Sequence, residues 1–370
     1  MRLRALEIHD FRNIERARIA PSTGATVLVG RNGQGKTNLL EAVYLLATLK
    51  PLRAARLAEL VRFGAERALV SAGLEAPGGE RRLAVEVGPA GRTAFLDGKA
   101  VDHPEAYLEG HAAVCFTPDD LLLVKGGPLL RRRFLDRAAF NRWPAVLAEV
   151  RDYLKALRER NAALRGAPPG VEESFREPLA RSGARLLCRR QALVAELAPR
   201  LADAFAAVAG PEAPQARLHY RPAAGMPAEG EEAALQRRLA EILTLRLMSD
   251  RGRGYTSVGP HMDDLVLALD GRGARAFASQ GQQRALVLAL KIAEIENLRA
   301  VQGRPPLLLL DDVSSELDPE KNQLLLHYLA DLRAQAFLTT TDRRLVEAAA
   351  GPEAVFYRVS SGAVSIENPK

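Results

Sequence analysis

Apolar and polar residues alternate along the first hundred residues in the manner of β-strands. The predicted strands here are Leu3–Ile8, Ile14–Ile19, Thr26–Val29, Ala68–Leu74, Arg82–Val87 and Thr93–Leu96. Asn38–Leu49 instead has apolar residues at helical spacing, and Asp97-Gly98 is a strong hairpin-turn signal. The pattern therefore predicts a β-rich opening that contains one early helix.

A helical pattern rich in Ala, Leu, Arg and Glu follows from about Pro128 to Glu241, with breaks at Gly166–Gly170 and Gly210–Pro214. Alternating strands and helices are then predicted at Leu265–Asp270, Gln282–Arg299, Leu307–Leu310, Pro319–Leu332 and Ala336–Thr340. We therefore predict an α/β fold in which residues 1–115 and 245–370 form one domain and residues 116–244 form an inserted, mostly helical lobe.

Composition and charge narrow the functional class. With 47% hydrophobic and 26% charged residues the chain is neither collagen-like nor disordered. Its two cysteines cannot form a disulfide framework or a four-ligand zinc site. This low cysteine content leads us to expect a reducing cytoplasm. No apolar run reaches the roughly 18–20 residues that span a bilayer, so we expect no membrane association. The net charge of +7 favours polyanionic partners without identifying one.

A phosphate-binding motif follows the strand Thr26–Val29. Gly30-Arg31-Asn32-Gly33-Gln34-Gly35-Lys36-Thr37 fits G-x-x-x-x-G-K-[ST], and a predicted helix follows it. Glycines allow the backbone to wrap a phosphate chain, and the helix N-terminus adds partial positive charge. Lys36 is expected to reach the terminal phosphates and Thr37 to ligate Mg²⁺. The alternative is a glycine turn followed by a chance lysine, which the flanking strand and helix disfavour.

A second motif ends the apolar strand Leu307–Leu310. Asp311 follows directly and is the candidate for the metal side of the site, and Asp312 is the candidate for polarising a water molecule. A lone apolar strand with a terminal Asp is common in proteins without this chemistry, so the assignment depends on the glycine loop.

Ser279-Gln280-Gly281-Gln282-Gln283 opens the predicted helix before that strand. A polar, glycine-containing helix N-terminus is a second anion-binding element. Taken alone, the segment is equally typical of a plain helix cap.

The order of these motifs, followed by Ser315-Glu316-Leu317-Asp318, resembles that of an ABC-type ATPase head: Walker A, signature, Walker B and D-loop. More specifically, the chain resembles the RecF family of bacterial DNA replication and repair ATPases. The resembling segments are Asp10–Asn13, Gly30–Asn38, Phe116–Leu121, Lys125–Pro128, Arg131–Asp136, Gly259–Leu265, Ser279–Arg284 and Leu309–Asp318. The resemblance covers nearly the whole chain and implies a mixed β-sheet with a P-loop core.

The resemblance also implies that ATP and Mg²⁺ are bound between two copies of the chain. Ser279, Gln280, Gly281 and Gln282 of one copy would face the Walker A loop of the other, so that Lys36, Asp312 and Ser279 are the expected catalytic residues. It places Arg12, Asn13 and Asn38 near the nucleotide and Asp318 at the seam. Asp119 or Asp120, and Thr341, stand where transporter heads carry a Gln and a His, so we expect slow hydrolysis.

The function implied by the resemblance is an ATP-dependent homodimer that closes on gapped DNA or on single-strand/double-strand junctions and opens on hydrolysis. It would act with RecR and RecO to support RecA loading. The alternatives are the nucleotide-binding subunit of a transporter and a small-molecule P-loop kinase. The long insertion between Walker A and the signature disfavours a transporter subunit. A P-loop kinase would leave the signature segment unexplained.

Basic residues of the predicted lobe form two groups. One lies beside Trp143 and consists of Arg131, Arg132, Arg133, Arg137 and Arg142. The other, Arg151, Lys155, Arg158 and Arg165, recurs at helical spacing and falls on one helix face. Such a face either follows a DNA backbone or is a solvated surface paired with Glu149, Asp152 and Glu159.

Overall fold

A computed structural model of the chain describes residues 2–53, 56–76, 79–108, 110–210, 212–312 and 319–367. Its strands are β1 (Arg2–Phe11), β2 (Ile14–Ile19), β3 (Ala25–Val29), β4 (Ala68–Ala76), β5 (Gly79–Gly88), β6 (Gly91–Leu96), β7 (Lys99–Ala100), β8 (Ala113–Phe116), β9 (Ala216–Arg221), β10 (Asp264–Leu269), β11 (Arg272–Gly273), β12 (Leu307–Leu310), β13 (Ala336–Thr340), β14 (Val355–Ser360) and β15 (Ala363–Ile366).

The helices are α1 (Lys36–Thr48), α2 (Pro104–Leu108), α3 (Leu122–Lys125), α4 (Pro128–Arg142), α5 (Val146–Gly166), α6 (Arg176–Ala209), α7 (Glu232–Leu245), α8 (Leu247–Arg253), α9 (Ala274–Phe277), α10 (Gln280–Gln302), α11 (Pro319–Asp331) and α12 (Glu347–Ala350). Within the described ranges, no helix is long and apolar enough to cross a membrane.

The chain divides into two compact units. Unit 1 is Met1–Asp120 with Leu298–Lys370, and unit 2 is Leu121–Asn297. The first boundary lies five residues after the predicted end of the first segment at residue 115, but the second lies well beyond the predicted 244. The reason is a non-local pairing, because β10 is antiparallel to β9 from Asp264↔Arg221 to Leu269↔Ala216. The pairing places β10, as far as Leu269, in unit 2 with β9.

A parallel sheet forms the centre of unit 1. Its strand order is β15-β14-β3-β13-β12-β8, and only the β14–β15 pair is antiparallel. All residues of β12 and β13 are buried, as expected for parallel strands covered on both faces. Because β3, β13 and β12 are neighbours, the segments that follow them meet at one edge of the sheet, where α/β proteins bind ligands.

The second sheet of unit 1 is antiparallel, with the order β2-β1-β4-β5-β6-β7. Five of its strands overlap the predicted strands, and the predicted hairpin is confirmed. Asp97 and Gly98 both have positive φ, 51° and 79°, and they join Leu96 to its partner Lys99, as in the two-residue turns that suit the twist of a hairpin.

Unit 2 is mostly helical, as predicted. The long helix α6 packs against α4, α5, α7 and β9. α5 ends at Gly166 and α6 at Ala209, where glycine and proline residues predicted breaks. In the three-stranded sheet β11-β10-β9, only β10 was predicted. The two-residue β11 and the strand β9, which lies between helical segments, were not.

Ion pairs with little solvent exposure hold unit 2 together. Arg160 donates to Asp250 at 2.9 Å with side chains that are 2% and 0% exposed. Arg131 binds both carboxylate oxygens of Asp264, at 2.7 and 3.0 Å. Removing one partner of such a pair leaves an uncompensated buried charge, which is strongly destabilising.

Asp250→Asn is expected to lower the free energy of unfolding by about 3–5 kcal/mol, because it leaves the Arg160 guanidinium buried without a counter-charge. Urea unfolding measures the change. The matched control is Glu241→Gln, which removes the carboxylate of the exposed Arg238–Glu241 pair and is expected to cost no more than about 1 kcal/mol. Equal effects of the two substitutions would contradict the structural role of Asp250.

Candidate functional site

The loop between β3 and α1 has the shape expected of a phosphate-binding loop. Gly33 and Gly35 have φ of 79° and 108°, the left-handed region that only glycine adopts readily. A Cβ at Gly30 would collide with the carbonyl oxygen of Val359. The loop opens the thirteen-residue helix α1, whose first N–H groups lack partners within the helix.

Lys36 lies against this loop. Its Nζ donates to the carbonyl oxygens of Gly30 and Arg31 at 2.7 and 3.1 Å, and the residue is only 6% exposed. Burial lowers the pKa of the ammonium group, and the nearby carboxylates of Asp312 and Asp311 oppose that shift. The loop thus holds a lysine charge beside two carboxylates at the edge of the sheet.

Two neighbouring segments of the chain hold the loop in place, and both bind the same loop residue, Gln34. Asn13 Nδ2 donates to the Gln34 carbonyl at 3.3 Å, and Asn38 Nδ2 donates to Asn13 Oδ1 at 2.8 Å. From the β14–β15 turn, the Ser361 amide donates to Gln34 Oε1 at 2.8 Å and the Gly362 amide to the Gln34 carbonyl at 2.9 Å. Asn13 was among the predicted site residues, whereas the β14–β15 turn was not.

The carboxylate that ends β12 meets the start of α1. Thr37 Oγ1 donates to Asp311 Oδ1 at 2.8 Å, and Thr339 Oγ1, from β13, donates to the same oxygen at 2.9 Å. Burial raises the pKa of Asp311, while the two hydroxyl hydrogen bonds act in the opposite direction. A hydroxyl and a carboxylate are brought together here, and both supply the oxygen ligands that Mg²⁺ prefers.

Asp312 follows with a left-handed backbone, at φ 49°. Its amide donates to Thr339 Oγ1 at 2.8 Å, and its side chain is half-buried. Thr339, which was not among the predicted site residues, therefore binds the Asp311 carboxylate and the Asp312 backbone.

A buried carboxylate on α1 organises the other flank of the loop. Glu41 is fully buried and accepts from Arg12 Nε and from the Arg53 amide, both at 3.0 Å. The Arg53 guanidinium donates to Asn38 Oδ1 at 3.2 Å. Arg12 and Asn38 were predicted near the nucleotide, whereas Glu41 and Arg53 were missed. The available signal was a carboxylate interrupting the apolar residues of Leu39–Leu49.

The signature segment lies in unit 2 and forms a reciprocal helix cap. The Gln282 amide donates to Ser279 Oγ at 3.2 Å, and the Ser279 amide donates to Gln282 Oε1 at 2.9 Å, the arrangement of a capping box. Ser279, Gln280 and Gly281 are exposed. Asp318, with the rest of Ser315–Asp318, lies outside the described residues.

Three arginines of the first basic group of the lobe are bound to other residues of unit 2. Arg131 binds Asp264, Arg142 binds Glu196 Oε2 at 3.1 Å, and Arg132 donates to the Asp263 carbonyl at 2.8 Å. The Trp143 ring contacts two guanidinium groups, those of Arg142 and Arg189, whose central carbons lie 4.6 and 5.5 Å from the ring centre. Arg131, Arg132 and Arg142 are thus part of the packing of unit 2, whereas Arg133 of the same group is exposed.

Three residues with side chains of metal-ligating type, His261, Asp263 and Asp264, lie within four positions of the chain, but each is bound to other partners. His261 contacts Tyr153 and Thr256, Asp263 accepts from Tyr220, and Asp264 pairs with Arg131 and Arg221. Across the described part of the chain, no cluster of three or more His, Cys, Asp and Glu side chains could hold a metal ion.

Comparison with known proteins identifies the family. The profile of the RecF/RecN/SMC N terminal domain matches residues 2–363. The DNA replication and repair protein RecF of Anaeromyxobacter sp. (strain Fw109-5) is 68% identical over 365 residues, which cover 99% of both chains. The protein of the same name from Myxococcus xanthus (strain DK1622) is 55% identical over 371 residues, covering 99% of this chain and 97% of that one.

Solved structures agree with these relatives. A structure of the recombination mediator protein RecF with ATP, in the RecFOR pathway, has a TM-score of 0.89 and 29% identity over 99% of this chain and 97% of that one. An Smc head domain from Pyrococcus furiosus has a TM-score of 0.57 at 16% identity, over 99% of this chain and 95% of that one, and shares the fold. The chain therefore belongs to the RecF/RecN/SMC family of ATPases and, within it, to the RecF proteins of DNA replication and repair rather than to the transporter subunits.

Proposed function

We propose that this chain is an ATP-dependent DNA-binding switch, whose nucleotide-bound form is a closed homodimer and whose slow ATP hydrolysis reopens it. The observation that carries the proposal is the joining of Thr37 and Asp311 beside the phosphate-binding loop. The exposed Ser279, Gln280 and Gly281 supply the second half of the site to another copy, as in the ABC-type heads that the chain resembles.

The residues around the loop fit a Mg²⁺–nucleotide complex. Lys36 and the N-terminus of α1 offer positive charge to the phosphates. Thr37 and Asp311 offer oxygen atoms to the metal. When bound, Mg²⁺–ATP supplies the phosphoryl group and its charge to the site. Arg12, Asn13 and Asn38 line the flank of the loop, and Asp318 is proposed to lie at the seam between the copies.

Asp312 is the residue proposed to orient and deprotonate the attacking water. Its left-handed backbone turns the chain just after β12, and its half-buried side chain lies in the field of Lys36. An aspartate is one methylene shorter than the glutamate usual at this position in related ATPases, which favours slow turnover.

Two other positions also favour slow hydrolysis. Asp120 Oδ2 accepts from the Thr117 amide at 2.7 Å and so caps its own turn, while Asp119 and Thr341 are exposed. These residues stand where transporter heads carry a Gln and a His. The ATP-bound state therefore lasts long enough to act as a signal. The energy of the γ-phosphate is used to change the conformation of the protein.

DNA is proposed to contact the exposed face of α5. Arg151, Lys155, Arg158 and Arg165 are exposed and lie on one side of this helix. Among the described residues, the only ion pair of this group joins Arg151 to the adjacent Asp152 at 3.6 Å, with both side chains about two-thirds exposed. Glu149, which could have neutralised the face, is bound instead to Arg189 at 3.1 Å.

The biological setting follows from the family. We propose that the dimer closes on double-stranded DNA and on single-strand/double-strand junctions at gaps, and that it acts with RecR and RecO to support RecA loading. The relatives named as DNA replication and repair proteins and as recombination mediators in the RecFOR pathway support this setting.

The first test measures molecular mass by light scattering after size exclusion, with and without ATP–Mg²⁺ and a gapped duplex. The wild-type chain is expected to dimerise only with ATP.

Lys36→Ala is expected to bind ATP about 10- to 100-fold more weakly, because it removes hydrogen bonds from a charged group worth about 1.5–3 kcal/mol.

Ser279→Arg is expected to bind ATP normally and to remain a monomer, because it places a bulky charge at the proposed contact with the second copy. Ser174→Arg, at another exposed serine of unit 2, is the matched control and should dimerise. Normal ATP-dependent dimerisation of Ser279→Arg would overturn the shared site.

Asp312→Asn is expected to bind ATP and dimerise but to hydrolyse ATP about 10²- to 10⁴-fold more slowly, the range for loss of a general base. Phosphate release and dimer lifetime are measured together, with Asp331→Asn, an exposed aspartate at the end of α11, as control. Ordinary turnover in Asp312→Asn would remove Asp312 from the proposed role.

Charge reversal of Arg151, Lys155 and Arg158 to Glu is expected to weaken DNA binding while ATP binding stays unchanged. The slope of log affinity against log salt concentration should fall by about one for each DNA phosphate that these side chains no longer neutralise. The control reverses Arg16, Arg18 and Arg82, which are exposed on the antiparallel sheet of unit 1, with the same change in net charge. Equal DNA affinity of the two triple variants across a salt titration would assign the α5 face to ordinary solvated surface.

A further inference from the structure

One buried hydroxyl, that of Thr339, touches both residues of the carboxylate pair. Thr339 is 3% exposed and comes from β13, the strand between β3 and β12. The register explains its position. Leu310 pairs with Leu338, so the next residues along these parallel strands, Asp311 and Thr339, are neighbours at the carboxyl edge.

The two hydrogen bonds of this hydroxyl act on different parts of the pair. Thr339 Oγ1 donates its proton to Asp311 Oδ1 at 2.9 Å, which fixes the carboxylate side chain. The same oxygen accepts from the Asp312 amide at 2.8 Å, which holds the backbone where Asp312 adopts φ 49°. A left-handed φ is uncommon for a residue other than glycine and needs support from its surroundings.

We propose that Thr339 is a positioning residue of the ATPase site, which orients Asp311 for the metal and Asp312 for the attacking water without touching the nucleotide itself. This inference rests on the proposed function. Side chains that hydrogen-bond a metal's ligands set their orientation, and their loss typically weakens metal binding 10- to 100-fold.

The residue type fits this role. A hydroxyl is the smallest group that can donate one hydrogen bond and accept another, and a β-branched side chain suits a buried strand. Valine has the same shape without the hydroxyl, and serine has the hydroxyl without the methyl group. The two substitutions therefore separate hydrogen bonding from packing.

The test is the Mg²⁺ dependence of nucleotide binding, followed with a fluorescent ATP analogue in the full-length chain. Thr339→Val is expected to need about 10- to 100-fold more free Mg²⁺ for half-maximal enhancement of binding, with unchanged analogue affinity in EDTA. Thr339→Ser is expected to titrate close to wild type. Mn²⁺ binding to the nucleotide complex, followed by electron paramagnetic resonance, gives a second readout independent of turnover.

Three outcomes would overturn the inference. The first is a Thr339→Val titration that matches wild type, and the second is an equal loss in Val and Ser, which would show that packing and not the hydroxyl matters. If the Val variant does not fold, as judged by its melting temperature, Thr339→Ala removes the same hydroxyl and takes its place. The third is a wild-type chain whose nucleotide binding ignores Mg²⁺, which overturns the proposed metal site as well. The first two leave that site intact.

Discussion

A buried carboxylate needs hydrogen-bond donors, and the candidate nucleotide site is built around the two hydroxyl donors that Asp311 has. At 5% exposure, its charge is costly unless neighbouring groups stabilise it. The two hydroxyls that do so belong to Thr37, in the first turn of α1, and Thr339, at the end of β13. One carboxylate oxygen thereby ties together the phosphate-binding loop, the strand beside it and the Walker B strand. The parallel order β3-β13-β12 brings these three chain segments within reach of one another.

The loop itself depends on contacts from distant parts of the chain. Gly35 has φ 108°, which residues with a side chain rarely adopt, and a Cβ there would also displace the Asn13 side chain, whose Oδ1 would lie 2.7 Å away. Gln34 is held by Asn13 from the β1–β2 turn and by Ser361 and Gly362 from the β14–β15 turn. A phosphate-binding loop must keep its shape before the ligand arrives if binding energy is not to be consumed in ordering it. These contacts supply that preorganisation.

Local signals in the sequence predicted the parts of the site that are local in the chain. The spacing of Gly30–Thr37 and the position of Asp311 after an apolar strand are contiguous patterns, and the structure brings Thr37 and Asp311 together at 2.8 Å. Thr339 and Ser361 could not be selected in this way, since their roles depend on strand order and register. The pairing of β9 is non-local in the same way, because its six residues pair with a strand more than forty residues later and composition gives no signal of that partner. The strand itself has a local signal, since its residues alternate buried and exposed.

Net charge also cannot identify which basic residues are exposed. A net charge of +7 says that the chain is basic, but not which cations are available to a polyanion. In unit 2, burial separates the available cations from the unavailable ones. Arg131, Arg160 and Arg190 are buried and bound to carboxylates, whereas the cations of the α5 face are exposed to solvent. Buried pairs of this kind hold the helices in place and are little affected by salt, while exposed cations release counterions when they meet a phosphate backbone. The arginines that give the lobe its shape and those that can give it a DNA surface are thus different residues, and only the packing of the helices separates them.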